Sequence, residues 1–246
     1  MDNNQLDAKY GSIWTPSIAS QLEHIVRYAS GKMAPFFAVN SYNLELPRIG
    51  LGYRTFFKMR PKTLAFKLES LRSDRNIGQS DRSIGHEVSH WLHFEVNPGI
   101  FHAYKKNREA SNLVELVGYY GGHVFSSFPK NHEIEETKKQ IIDQIVHFDE
   151  TLKHKIKSRG QSQQEYIDGY ERHTGGGYAA DFLFEEFGSI YLKKFALADV
   201  QMAKQLLKKL GYHSTLFIPY SPPEVLTIED PPKIEEMKEP VVSRKN

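Results

Sequence analysis

Apolar residues along the chain recur first at helical spacing, then in alternation, then at helical spacing again. Thr15-Pro16 reads as an N-cap followed by proline in the first turn, opening a helix that runs to about Ser30 and closes at Gly31. A β-like region follows over Phe36 to Val39, Tyr53 to Met59 and Thr63 to Leu68, with Pro and Gly marking the breaks. In the last of these, Leu64, Phe66 and Leu68 alternate with Ala65 and Lys67, which predicts one buried face. Such a strand has two uses open to it: an ordinary sheet strand, or an edge that takes up a peptide by strand addition.

Beyond it the period becomes helical. Ser80 and Asp81 are N-cap types, Ile84, Val88, Trp91 and Leu92 form an apolar stripe, and Asn97-Pro98-Gly99 stops the helix. A second helix is predicted from about Lys106 to Phe125. A third, strongly amphipathic, runs from about Glu133 to Lys157 with Ile134, Ile141, Ile142, Ile145, Phe148, Leu152 and Ile156 on its apolar face, and reads as scaffold. Gly169 to Gly177 is a Gly-rich loop; Tyr178 to Phe195 and Val200 to Leu210 are helical, the last capped by Gly211. From Ser221 on, proline and charge dominate. The expected organisation is a flexible N-terminus over 1–14, one domain over 15–220 and a disordered tail over 221–246. The expected fold class is α+β, with a small N-terminal sheet with helices and a mostly helical C-terminal half.

Composition narrows the possibilities. At 246 residues and 39% apolar content the chain can bury a substantial core. A net charge of +2 offers no field of one sign for nucleic acid or an anionic membrane, so neither is an expected partner. The basic run from Lys153 to Arg159 reads as the solvated end of the third helix. With no cysteine, any transition-metal site must use His and carboxylate. The N-terminal residues lack a basic stretch followed by an apolar core, and no apolar run reaches ~18 residues. The expectation is a soluble, cytoplasmic protein of unspecified oligomeric state.

The candidate chemistry lies in mid-helix, at His86-Glu87-Val88-Ser89-His90, an HExxH pattern. A residue four positions on returns to almost the same helix face, so the two histidines can offer nitrogens to one Zn²⁺ while Glu87 sits beside the open position. With 11 histidines in the chain, a shuffled sequence shows HExxH roughly 4% of the time. The plainer alternative is a surface helix with solvated histidines. A catalytic zinc needs a third protein ligand. The metzincin pattern would put histidine at position 96, where Val96 stands. His93 shares the face of His86 and His90 and reads either as a group supporting the ligands from behind or, the favoured reading, as a polar residue at the helix end. Two glutamates on the next helix, Glu109 and Glu115, are both separated from His90 by enough chain for a helix–loop–helix return.

The HExxH segment, followed by Glu115, Gly118 and Tyr120 at plus zero, three and five, resembles the gluzincin metallopeptidases of the broad peptidase MA-like group. Gly176-Gly177-Tyr178, leading through Phe182 and Phe184 to Phe187-Gly188, is similar to that group's downstream glycine–aromatic turn and helix. The likeness spans roughly residues 60 to 210 and implies a zincin-like fold and a zinc-dependent peptidase acting on peptides or a protein. It implies His86, His90 and Glu115 as metal ligands and Glu87 as general base. The group's usual glycine after the glutamate is Leu116 in this chain, which keeps Glu109 open. An oxyanion donor is expected among Tyr170, His173 and Tyr178, flanking the glycine run, with His173 and Tyr178 favoured. His123 is a candidate for holding a ligand in orientation, while the remaining histidines have no spacing that implies coordination. The rival expectation is a catalytically silent module of the same fold that binds or regulates a partner, its zinc structural or absent.

Overall fold

Thr15 accepts a hydrogen bond from the Ile18 backbone N–H at 3.2 Å, and Pro16 opens helix α1, Pro16–Met33. These residues belong to a computed structural model that describes residues 15–40, 43–51, 55–66, 71, 79–104, 106–146 and 176–212. Helix α1 runs through Gly31 instead of stopping there. A helical glycine costs about 1 kcal/mol, and the extra turn buries Met33 completely, a gain of about 1.5–3 kcal/mol. The chain then tightens into a 3₁₀ turn, Ala34–Phe37, where a strand was expected. Pro35 lies in its first turn, Phe37 is fully buried, and Ala38 at φ 57° ends it.

Among the described residues the sheet has three strands, β1 (Arg48–Leu51), β2 (Phe56–Met59) and β3 (Lys62–Phe66), in the order β1-β3-β2. Leu64 of β3 faces Ile49 in a parallel pair and Phe57 in an antiparallel one. The strand read as a possible peptide-accepting edge is therefore the central one. Both its ladders are occupied, and Thr63, Leu64, Ala65 and Phe66 are all buried. Strand β1 was not foreseen: it is four residues long, and Pro47, Gly50 and Gly52 in and around it read as breaks.

The other elements among the described residues are helices: α2 (Gln79–Val96), α3 (Pro98–Ala103), α4 (Arg108–Ser126), α5 (His132–Val146), α6 (176–187), α7 (Leu192–Ala196) and α8 (Val200–Lys209). The result is an α+β fold that is mostly helical. Helices α2 and α4 cross antiparallel at backbone distance, and glycines make this possible. A Cβ on Gly122 would lie 2.7 Å from the Arg82 carbonyl oxygen, one on Gly121 would collide with Ser89, and one on Gly85 would lie 2.5 Å from Phe125 Cβ.

Three ties hold this pair in place. Lys138 of α5, fully buried, reaches Asp81 in the first turn of α2 and Glu135 at 2.7 Å. Trp91 Nε1 donates to Glu95 at 3.0 Å, and Lys62 of β3 meets the same carboxylate at 2.8 Å. Tyr120 Oη donates to the Gly188 carbonyl at 2.5 Å. Gly188, at φ +58°, breaks the predicted 178–195 helix into α6 and α7. Gly211 caps α8 as expected, at φ +80°, with Tyr212 N–H bonding back to Leu207 O at 3.0 Å.

Among the described residues no helix is long and apolar enough to cross a membrane. The expected termini at 1–14 and 221–246, the basic run and the far half of the predicted third helix lie outside the described residues.

Candidate metal centre

Two helices supply three donors. His86 and His90 lie one turn apart on α2, and Glu115 projects from α4. The Nε2 atoms of the histidines are 2.8 Å apart, and Glu115 Oε2 lies 3.6 Å from His86 Nε2 and 3.7 Å from His90 Nε2. All three side chains are buried. Among the described residues they are the group of His, Cys, Asp and Glu able to hold a metal ion, their donor atoms lying within 4.8 Å of one another. Tetrahedral zinc with bonds near 2.0–2.1 Å sets its ligands about 3.3 Å apart, and the three distances here bracket that figure. The donor set, two imidazoles and a carboxylate, is one zinc accepts.

Glycine makes the convergence possible. A Cβ on Gly118, one turn beyond Glu115, would fall 2.5 Å from His90 Cε1 and 3.0 Å from His86 Cε1. The two imidazole rings thus occupy the space a side chain at 118 would take. Gly176, at the start of α6, closes the other side: its Cβ would lie 2.8 Å from Glu115 Cβ and 2.9 Å from the Leu116 backbone nitrogen. The last part of the Gly-rich loop therefore backs directly onto the glutamate.

The other candidate glutamate is engaged elsewhere. Glu109 forms an ion pair with Lys204 of α8, and both side chains are more than a quarter exposed. Glu87 is buried on the same face of α2. It is close enough for its charge to act on both His90 and Tyr119. Burial pulls the His90 pKa down, but attraction to the Glu115 carboxylate and the charge of Glu87 outweigh it, so the net shift is upward. Protons and a metal ion then compete for His90 Nε2.

Two tyrosines that spacing did not single out belong to the site. Tyr104, just after α3, donates its phenol to Glu115 Oε1 at 2.8 Å. Tyr119 packs its ring edge-on against His86, centroids 4.4 Å apart. Its pKa is pushed well above the usual value by burial and then by Glu115, Glu87 and Asp181. The glycines at 118, 121 and 122 were a legible sign of close helix contact; Tyr104, in a connector, left no periodic signal.

Tyr120, the aromatic that completed the pattern after Glu115, anchors the end of α6 rather than the donors. Tyr178 is 66% exposed on the first turn of α6, two residues after Gly176. Tyr170 and His173 lie outside the described residues. His123 does not orient one of the three donors: its Nε2 lies 2.5 Å from Asp181 Oδ1 and its ring stacks on Phe184, tying α4 to α6. His93 is not a solvated helix end. It is fully buried against Phe101, and burial, with the nearby His90, pushes its pKa down to about 3. The chain matches no protein-family model, no curated protein and no solved structure.

Proposed function

We propose that this chain is a zinc-dependent metallopeptidase of gluzincin type, with a zincin-like domain, cleaving peptide bonds in peptides or a protein. The observation that carries the reading is the convergence of His86 Nε2, His90 Nε2 and Glu115 Oε2 from two helices held at glycine contact, with Glu87 buried on the same helix face. When bound, zinc lowers the pKa of its water toward neutrality and polarises the scissile carbonyl.

The chain's own groups do the rest. His86 and His90 act as neutral acceptors through Nε2, and Glu115 supplies the third donor and a negative charge. Glu87 takes a proton from the attacking water and returns it to the leaving nitrogen. Burial of all four groups strengthens their mutual electrostatics. Tyr119 packs its ring edge-on against His86, and burial with the nearby carboxylates keeps its phenol protonated well above neutral pH. Tyr178, exposed two residues after the glycine that backs Glu115, and His173 are the proposed oxyanion donors.

The test is cleavage of a mixed peptide library by the wild type and by Glu87→Gln, with zinc content measured in both. The expected outcome is about one zinc per chain in each and a loss of turnover of about 10²–10⁴-fold in the variant. Zinc in both proteins with no chelator-sensitive cleavage in either would turn the reading toward a binding module.

A further inference from the structure

Glu115 has two carboxylate oxygens, and the structure treats them differently. Oε2 faces both imidazoles, at 3.6 and 3.7 Å, while Oε1 accepts the Tyr104 phenol at 2.8 Å. We infer that Tyr104 is a positioning residue for the metal carboxylate: its O–H holds Oε1 on the far side and thereby presents Oε2 to His86 and His90. The inference rests on the metal-centre reading above.

Several features make Tyr104 suited to this role. A carboxylate side chain has free torsions, and nothing in a lone glutamate decides which oxygen faces a partner. A neutral phenol donates to a carboxylate without cancelling its charge, so the oxygen left to a cation keeps its full attraction. The connector that carries Tyr104 joins the two donor helices and is fixed at both ends. Asn97, at its start, donates to the carbonyls of Ala196 and Ala198 at 3.4 and 3.0 Å. Asn107, at its end, caps α4 by accepting from Ala110 N–H at 3.1 Å.

Between them Phe101 packs edge-on against His90, His93, Phe94 and Phe57, with centroids 5.1 to 6.3 Å apart. The Tyr104 backbone N–H bonds back to the Phe101 carbonyl at 3.3 Å. The phenol is thus referenced through Phe101 to the histidine helix and through its own oxygen to the glutamate. Tyr104 thus links the carboxylate of α4 to the imidazoles of α2. Groups that orient metal ligands in this way typically change metal affinity 10–100-fold when removed.

Tyr104→Phe tests it, because the variant keeps the ring and loses only the hydroxyl. Zinc affinity is measured for wild type and variant by competition with a chromophoric chelator, and the zinc-free proteins are melted side by side. The visible spectrum of the cobalt-loaded forms reports whether the coordination sphere changes. The expected result is a 10–100-fold weaker zinc affinity and an altered cobalt spectrum, with the zinc-free melting temperature unchanged. Zinc affinity within twofold of wild type would overturn the role of Tyr104 and leave the metal centre standing. A loss of affinity matched by an equal loss of zinc-free stability would also overturn it, by assigning the hydroxyl to the fold. Failure of the wild type itself to bind zinc would remove the metal centre and this role with it.

Discussion

Gly118→Ala adds one methyl group at the point where the two donor helices meet. The new Cβ would stand 2.5 Å from His90 Cε1, 2.8 Å from His90 Nε2 and 3.0 Å from His86 Cε1. Carbon atoms settle at about 3.5 Å or more, so the imidazoles must give way by about 1 Å. Helix α2 cannot back off freely, since Ile84, Val88, Trp91 and Leu92 bury it fully in the core and Lys138 ties its first turn through Asp81. The rings therefore absorb most of the displacement. Metal ligands tolerate errors of about 0.2 Å, so the expected loss of zinc affinity is at least about 100-fold, the upper end of what losing an orienting group costs. Stability changes less: overpacking costs about 1–3 kcal/mol, and replacing a helical glycine by alanine returns about 1 kcal/mol. The net expectation for the zinc-free protein is a loss of about 0–2 kcal/mol. Chelator competition reads the first quantity and urea denaturation the second. Gly31→Ala is the control, exposed and with nothing within 4 Å of its Cβ; it should gain about 0.5–1 kcal/mol and leave zinc affinity untouched. A Gly118→Ala protein that binds zinc within threefold of wild type would refute the packing argument.

Glu115→Gln should abolish zinc binding in an equilibrium dialysis experiment, whereas Glu109→Gln should keep it and lose less than about 1 kcal/mol, since its pair with Lys204 is partly exposed. Lys138→Met removes the buried ammonium between Asp81 and Glu135, whose side chains keep 17% and 24% of their exposure. A destabilisation of about 1–3 kcal/mol is expected, visible as a lower urea midpoint; an unchanged midpoint would mean that the tie at the start of α2 contributes nothing.

His93 provides a pH test. Its folded pKa is near 3 and its unfolded one near 6.5, so the unfolded chain binds a proton that the folded chain refuses between those values. Stability from this residue is complete above pH 6.5 and is lost as pH falls toward 3. By pH 5 the loss is about 2 kcal/mol. His93→Leu, measured zinc-free at pH 7 and pH 5, should show a pH dependence smaller by about that amount; an equal slope in both proteins would show that His93 does not stay neutral in the fold.

The α+β class and the capped helices were legible because their signals are local. Thr15-Pro16, Asn97-Pro98 and Gly211 act through the backbone of their own neighbours. The HExxH spacing likewise fixes one face of one helix whatever the tertiary structure. What failed or stayed open depended on distant partners. Alternation in 63–68 predicted a half-buried strand, but only the pairing of β1 and β2 on both sides makes β3 central. Phe36 and Phe37 read as strand by composition, and the need to bury Phe37 under α1 turned them into a 3₁₀ turn. Glu109 and Glu115 were equally reachable by chain length, and only the fold sorts them, bringing Glu115 beside the imidazoles while Glu109 pairs with Lys204. Tyr104 had no signal at all, since a connector residue finds its partner only when the fold brings Glu115 to it.

The most direct test of the metal centre is diffraction from crystals of the zinc-loaded protein recorded at the zinc absorption edge. One anomalous peak is expected about 2 Å from His86 Nε2, His90 Nε2 and Glu115 Oε2, with Glu109 still paired to Lys204. A peak coordinated by Glu109, a peak at another place in the chain, or a zinc-loaded crystal without one at these three side chains would contradict it.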